Sequence, residues 1–342
     1  MTIEPVDALR RIAFLLERSR ASTYRVKAYR QAADTLLAIP ETEVHERVRR
    51  GTLKQLDGIG PSTAAVIEQA CAGRVPDKLA ELEAEVGGPL VEGGEAVRAV
   101  LRGDLHSHSD WSDGGSPIQE MVASAMELGH SYLALTDHSP RLTVANGLTA
   151  ARLTKQLGVV DAINTAVGPD FRLLKAIEVD ILDDGALDQS EELLDQLDVR
   201  VASVHSKLKM ESAAMTRRMV DAVRNPHTNV LGHCTGRLIT GDRGKRPQSS
   251  FDAPAVFEAC VESNTAVEIN SRPERTDPPD DLLTLAIETG CLFAINTDAH
   301  APGQLDFQAY GCERAERLGV PLDRIVNTWP LEQLLAWANP GT

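Results

Sequence analysis

Several features that would place this chain in other classes are missing from it. Its five cysteines (Cys71, Cys234, Cys260, Cys291 and Cys312) are scattered, and no CxxC pair occurs. An odd, unpatterned set excludes a disulfide framework and reads as reduced thiols in a cytoplasmic protein. No apolar run reaches the roughly 18 residues that a membrane-spanning helix needs. The opening residues, Met1-Thr2-Ile3-Glu4-Pro5, carry neither a basic n-region nor an apolar h-region, so no signal peptide is expected. Positive charge is also short: 35 Lys+Arg face 50 Asp+Glu, a net charge of −15. The deficit is uneven. Residues 1–90 hold 13 basic and 13 acidic side chains, so all of it falls after residue 90. Two segments of different electrostatic character suggest two jobs. A length of 342 residues likewise suggests two domains, and 42% hydrophobic residues suffice for a packed core.

Helical spacing of apolar residues runs through Val6–Leu16, Tyr24–Leu37 and Glu43–Arg50, and again through Ala64–Ala70. Between the last two lies Leu56-Asp57-Gly58-Ile59-Gly60-Pro61-Ser62. Its glycines permit a tight turn, and the N–H groups opening the next helix can meet a phosphate. This hairpin resembles the helix-hairpin-helix motif, a sequence-independent reader of the DNA backbone. Nearby, Arg10, Arg11, Arg18, Arg20, Arg25, Lys27 and Arg30 face a single acid, Glu17, which looks like an electrostatic footprint. The expected DNA contacts are Gly58, Gly60, Ser62, Arg25, Lys27 and Arg30. With Tyr24-Arg25-Val26-Lys27-Ala28-Tyr29-Arg30, the segment from about 3 to 86 resembles the small N-terminal domain of bacterial family X DNA polymerases. Lyase-competent relatives carry a Schiff-base lysine eight residues after the first hairpin glycine. Here that position is Val66, so lyase activity is not expected.

After a short linker, Gly87-Gly88-Pro89 and Gly93-Gly94, comes Gly103-Asp104-Leu105-His106-Ser107-His108, with Asp113 five residues on. Residues i and i+2 of an extended segment point to one side, so His106 and His108 can reach one metal. Beyond it, apolar runs alternate with helical stretches. The runs are Val97–Leu105, Tyr132–Thr136, Leu173–Val179, Val199–Val204, Asn229–Gly232, Ala266–Ile269 and Leu292–Asn296. The helical stretches include Ile118–Leu128, Ala150–Ala166, Ala213–Val223, Ala255–Ser263 and Asp281–Thr289. Seven βα units imply a parallel barrel. His138, Glu178, His205, His233, Asp298 and His300 stand at or just after the C-terminal ends of these runs, where barrel enzymes build their sites. Cys234 reads as packing. His45, His130 and His227 read as bystanders, His130 as a favourable cation at a helix end.

This pattern resembles the PHP (polymerase and histidinol phosphatase) family. The resemblance implies an α/β fold, a distorted seven-stranded barrel over about 97–338 behind an all-α domain over 1–90. It also implies three divalent ions, and six histidines with three carboxylates suit Zn, Mn or Fe. By resemblance, His106, His108, Glu178 and Asp298 hold the first ion. Asp113, His138 and His300 hold the second, and Glu178, His205 and His233 the third. Asp184-Gly185-Ala186-Leu187-Asp188 and Asn327-Thr328-Trp329-Pro330-Leu331-Glu332 are further signatures of the polymerase-linked kind. A full family X polymerase would insert its palm at the linker. Without it the carboxylate triad for nucleotide transfer is missing, and polymerase activity is not expected.

The implied chemistry is hydrolysis of a phosphate ester with the ions clamping the non-bridging oxygens. Three divalent ions against three carboxylates leave a local positive field for phosphate despite the distant acidic surface. Lys207, Arg237, Arg272 and Arg275 follow ligand-bearing strands and could grip phosphate, Arg237 and Arg272 foremost. Asp298 or His300 could pass a proton to the leaving group. The expected substrate is a DNA end, processed in repair as a 3′-phosphatase or 3′-5′ exonuclease. The alternative is a small phosphate ester such as histidinol phosphate.

Overall fold

The computed structural model describes residues 3–241 and 244–340. The chain divides into two compact units, one ending at Leu90 and one beginning at Val91. The first unit is all helix: α1 (Pro5–Arg18), α2 (Thr23–Leu37), α3 (Glu41–Arg50), α4 (Pro61–Cys71) and α5 (Asp77–Val86). Proline opens α1 and α4, where its missing N–H has no partner to lose. Gly51 ends α3 in the left-handed region at φ 67°, which lets the chain turn into the hairpin. Leu9, Ile12, Ala13 and Leu16 of α1 form one buried stripe. Helix α5 is an element the apolar spacing did not suggest, because only Leu79 and Leu82 of its ten residues are buried.

The second unit opens with a short helix, α6 (Glu95–Arg98). Seven strands follow: β1 (Gly103–Ser107), β2 (Tyr132–Leu135), β3 (Arg172–Asp180), β4 (Val199–Ser203), β5 (Val230–Leu231), β6 (Ala266–Asn270) and β7 (Leu292–Asn296). They pair in sequence order, and every pairing is parallel. Helices α7 (Ile118–Glu127), α8 (Ala150–Val167), α9 (Glu191–Leu194), α10 (Ser212–Val223), α11 (Ala253–Glu262) and α12 (Asp280–Thr289) connect them. Helices α13 (Gln308–Leu318) and α14 (Leu331–Ala338) complete the unit. The expected α/β barrel is therefore present. Leu105, Leu174, Val199, Val201 and Val230 share one buried cluster, while Ile177, Val179, Leu231, Val267 and Ile295 pack under the helices. Burial on both faces is why these strands read as near-continuous apolar runs.

The first strand differs from the expected Val97–Leu105. Gly94, at φ 84°, turns the chain into α6, and Val97 is buried as a helical residue. Pairing begins only at Gly103, where a Cβ would come within 2.2 Å of Tyr132. The barrel is nearly closed, with an isolated bridge from Ser107, at the end of β1, to Ala299, just past β7. Side-chain amides fill that seam. Leu105 N–H donates to Asn296 Oδ1 at 3.1 Å, and Ile295 N–H to Asn327 Oδ1 at 2.7 Å. Asn327 Nδ2 and Gln308 Nε2 each donate to both Gly103 O and Ile295 O at 2.9–3.1 Å. Among the described residues no helix is long and apolar enough to cross a membrane.

Candidate metal centre

All nine proposed ligands sit at the C-terminal end of the barrel strands or in the loops that follow. His106 belongs to β1 and His108 lies just past it, so the extended backbone aims both the same way. Glu178 lies in β3 at the centre. Its Oε2 is 2.9 Å from His138 Nδ1, 3.3 Å from His106 Nε2 and 3.6 Å from His108 Nε2. Its Oε1 is 2.9 Å from His233 Nε2 and 3.2 Å from His205 Nε2. Asp113 Oδ1 lies 3.4 Å from His138 Nε2 and 3.3 Å from His300 Nε2. Asp298 Oδ1 lies 3.5 Å from His108 Nε2.

Three tight groups result: His106, His108 and Asp298; His108, Asp113, His138 and His300; and His138, Glu178 and His205. The first two contain most of the implied first and second ligand sets. The third holds His138 in place of the expected His233, and His233 Nε2 meets the same Glu178 oxygen as His205 Nε2.

The electrostatics follow from burying this cluster. Burial opposes charge on His106, yet Glu268 and Glu178 hold its pKa well above the ordinary imidazole value. His138 is likewise raised, to about 10, by Glu178 and Asp113 in spite of burial. His108 goes the other way: burial, with His300 and His138 beside it, pushes it down to about 3. Burial would protonate Glu178, but His106, His205 and His138 keep it well below the usual carboxylate range. His106 Nε2, both nitrogens of His108 and His205, His233 Nδ1 and Glu178 Oε2 are buried without a hydrogen bond. Buried polar atoms without partners are costly. So many converging lone pairs match what several bound cations would satisfy, and the donor set fits Zn, Mn or Fe.

Several carboxylates behind the ligands escaped the sequence reading. Asp137 accepts from Ser109 and Gln156 and thereby pins the loop between His108 and Asp113. Asp104 binds Thr297 and fixes β1 against the loop carrying Asp298. Glu268 accepts from His106 Nδ1 at 2.7 Å. Its signal was present: one acid inside Ala266-Val267-Glu268-Ile269, in a strand that should be apolar throughout.

The arginines divide. Arg272 Nη1 is 3.0 Å from His300 Nδ1 and donates to Asp298 O at 3.2 Å, so it reaches the centre. Arg275 donates from Nε to Asp298 Oδ2 at 2.9 Å. Arg237 does not match its expected phosphate-gripping role. Its Nε donates to Arg275 O at 3.0 Å and its Nη2 to Thr276 O, so the guanidinium braces a loop. Lys207 pairs with Asp183 at the rim. Cys234 is buried in the shell under the helices, against Asp277. His130 is no helix-end cation. Burial, with Arg98 beside it, pushes its pKa down to about 4, so the ring is neutral at pH 7.

In the helical unit, Gly58 takes φ 79°, and a Cβ there would meet Gln31 at 2.7 Å. A Cβ on Gly60 would meet nothing within 4 Å, and Ser62, Arg25 and Lys27 are exposed. The Gly60 N–H is already taken by Thr63 Oγ1 at 2.9 Å. Arg30 departs from the expected DNA contacts. It is buried and donates through Nε and Nη2 to both oxygens of Glu17 at 3.0 and 2.8 Å. Val66, at the position of the lyase lysine, is a buried core residue.

Residues 3–74 match the helix-hairpin-helix domain, and residues 104–272 match the PHP domain. The DNA polymerase/3′-5′ exonuclease PolX of Bacillus subtilis (strain 168) is 39% identical over 237 residues, 69% of this chain and 41% of that one. This chain thus spans about two fifths of that relative's length. A protein named a probable phosphatase, from Thermoanaerobacter sp. (strain X514), is 24% identical over 66% of this chain and 89% of its own. The solved histidinol phosphate phosphatase of Lactococcus lactis, complexed with zinc, L-histidinol and phosphate, covers 64% of this chain and 92% of its own, at 18% identity and a TM-score of 0.44. Fold, site and relatives together define a metal-dependent hydrolase. The chain carries a PHP domain with a helix-hairpin-helix domain ahead of it.

Proposed function

We propose that this protein is a metal-dependent phosphoesterase that processes DNA ends in repair, removing 3′ phosphates or 3′ nucleotides. The observation that carries the reading is the gathering of eight candidate ligands about a ninth, Glu178, in a chain that also holds a helix-hairpin-helix domain. The likeness to a relative named a polymerase and 3′-5′ exonuclease supports it. The nine residues would hold three divalent ions, with Glu178 shared between groups. When bound, such ions clamp phosphate oxygens and promote in-line attack by water.

The chain's own residues supply the rest. Arg272, beside His300, can turn a donor toward a phosphate oxygen. Burial works against an ionised Asp298, but Arg275 holds its pKa well below the carboxylate range. Asp298 and His300 are the two residues placed to pass a proton to the leaving group. Gly60 and Ser62 would let the hairpin approach a DNA phosphate, with Arg25 and Lys27 alongside.

The second reading, a small-molecule phosphatase, draws support from charge. The whole net −15 lies after residue 90, and DNA is repelled by an acidic surface. The test is a Mn²⁺-loaded panel of 3′-phosphate DNA, 3′-OH DNA, abasic DNA and histidinol phosphate. Faster turnover of the DNA ends is expected. Turnover of histidinol phosphate alone would replace the DNA reading with the second one.

A further inference from the structure

Glu268 lies on β6, wholly buried, with both carboxylate oxygens engaged. Oε1 is 2.7 Å from His106 Nδ1 and accepts from Asn296 Nδ2 at 2.9 Å. Oε2 accepts from the backbone N–H of His233 at 2.7 Å and from Asn270 Nδ2 at 3.1 Å. Three of these partners can only donate, and the fourth, His106 Nδ1, faces an acceptor. The carboxylate is therefore saturated, and it belongs to none of the groups able to hold an ion. A hydrogen bond from His106 Nδ1 to a carboxylate requires the proton there, so Nε2 is the nitrogen that gives up its proton when the ring binds an ion. That Nε2 is the atom 3.3 Å from Glu178 Oε2. The other oxygen of the same carboxylate holds the backbone at His233, whose Nε2 is 2.9 Å from Glu178 Oε1.

We propose that Glu268 is a positioning residue for the metal centre. It fixes the tautomer of His106 and the place of His233, so that ligands from two ion positions present Nε2 to Glu178 together. The inference rests on the three-ion reading above. A carboxylate behind a ligating imidazole orients the ring and raises its basicity, and losing such a partner costs roughly 10–100-fold in metal affinity. An amide could not replace it. Glu268→Gln has one acceptor oxygen where two separate donors, His106 Nδ1–H and His233 N–H, each need one.

The test is metal binding by the full-length protein, titrated with Zn²⁺ against a competing chelator. Glu268→Gln should lose about 10–100-fold in affinity for at least one ion, and Glu268→Asp, which keeps a carboxylate, should recover part of that loss. Unchanged affinity for every ion in Glu268→Gln would overturn the proposal. Should that variant fail to fold, nitrogen–proton correlation spectra of the Zn²⁺-loaded wild type decide. His106 protonated on Nδ1, with a strongly deshielded proton, is expected. A His106 protonated on Nε2 or coordinated through Nδ1 would overturn it. A wild-type protein that binds no ion would instead defeat the three-ion reading itself.

Discussion

In the helical unit, Arg11, Arg18 and Arg30 turn their guanidinium groups onto Glu83, the carbonyls of Val86 and Gly88, and Glu17. In the barrel, six histidines and three carboxylates turn toward one another, with few hydrogen bonds to hold them there. Titratable side chains satisfy each other in one unit and leave an open demand in the other. Charge counts therefore mislead in the first unit, since at least three of its seven clustered cations serve its own fold. In the second, burial of unpaired donors is itself the functional signal.

Removing the shared carboxylate should break the barrel side of this comparison most severely. Glu178→Ala is expected to lower turnover by about three orders of magnitude or more, because ions contribute several kcal/mol of transition-state stabilisation. Steady-state rates and metal content of the purified variant check it, and near-normal values of both would remove Glu178 from the centre. On the helical side, Arg30→Ala should cost about 2 kcal/mol of stability, since it removes two charge-assisted hydrogen bonds from the buried carboxylate of Glu17. Denaturant unfolding measures that, and a change in DNA affinity with unchanged stability would return Arg30 to the DNA surface.

The double variant Arg25→Ala/Lys27→Ala should weaken DNA binding with little effect on stability. If both residues touch phosphate, the log–log salt slope should fall by about 2. Titrations at several salt concentrations decide, and an unchanged slope would leave the hairpin as the only contact. Gly60→Val, whose Cβ has open space in the free protein, should weaken DNA binding severalfold and leave turnover of a small ester intact. Equal loss of both would show a folding defect.

The smallest expected effect concerns His130, a buried histidine outside the ligand cluster. Its pKa is depressed, to about 4 from 6.5, so the folded state binds fewer protons than the unfolded one between those values. Its contribution is therefore fully present above about pH 6.5 and is lost as pH falls toward 4. His130→Gln should flatten the pH dependence of the melting temperature in that window. An unchanged profile would mean that other groups set the acid limit.

What could be read from the sequence follows the same division. The strand Leu292–Asn296 has the bounds its apolar run suggests, because burial alone is enough to mark it in the sequence. The ligands stood out because histidines and acids at the ends of apolar runs have few structural reasons to be there. Glu268 was visible as an acid in an apolar run, but its role stayed hidden, since most of its partners come from β1, β7 and the loop after β5, which no local spacing relates to it. Arg30 looked like its neighbours Arg25 and Lys27 because pairing with Glu17, on another helix, leaves no trace in a charge count. His130 followed a glycine at a helix end, a position usually exposed, and only the packing beside Arg98 places it inside.

The amide-filled seam between β1 and β7 has a consequence for how the molecule is made. His106 and His108 stand on one side of it, and Asp298 and His300 on the other. The buckle between them, Asn327, comes late in the chain. On the ribosome the first histidines emerge long before their partners, and domains fold largely as units during synthesis. The seam is therefore complete only once residue 327 has arrived. A nascent chain stalled before it would carry every proposed ligand in its sequence and still lack the Asn327 part of the clasp between the two sides.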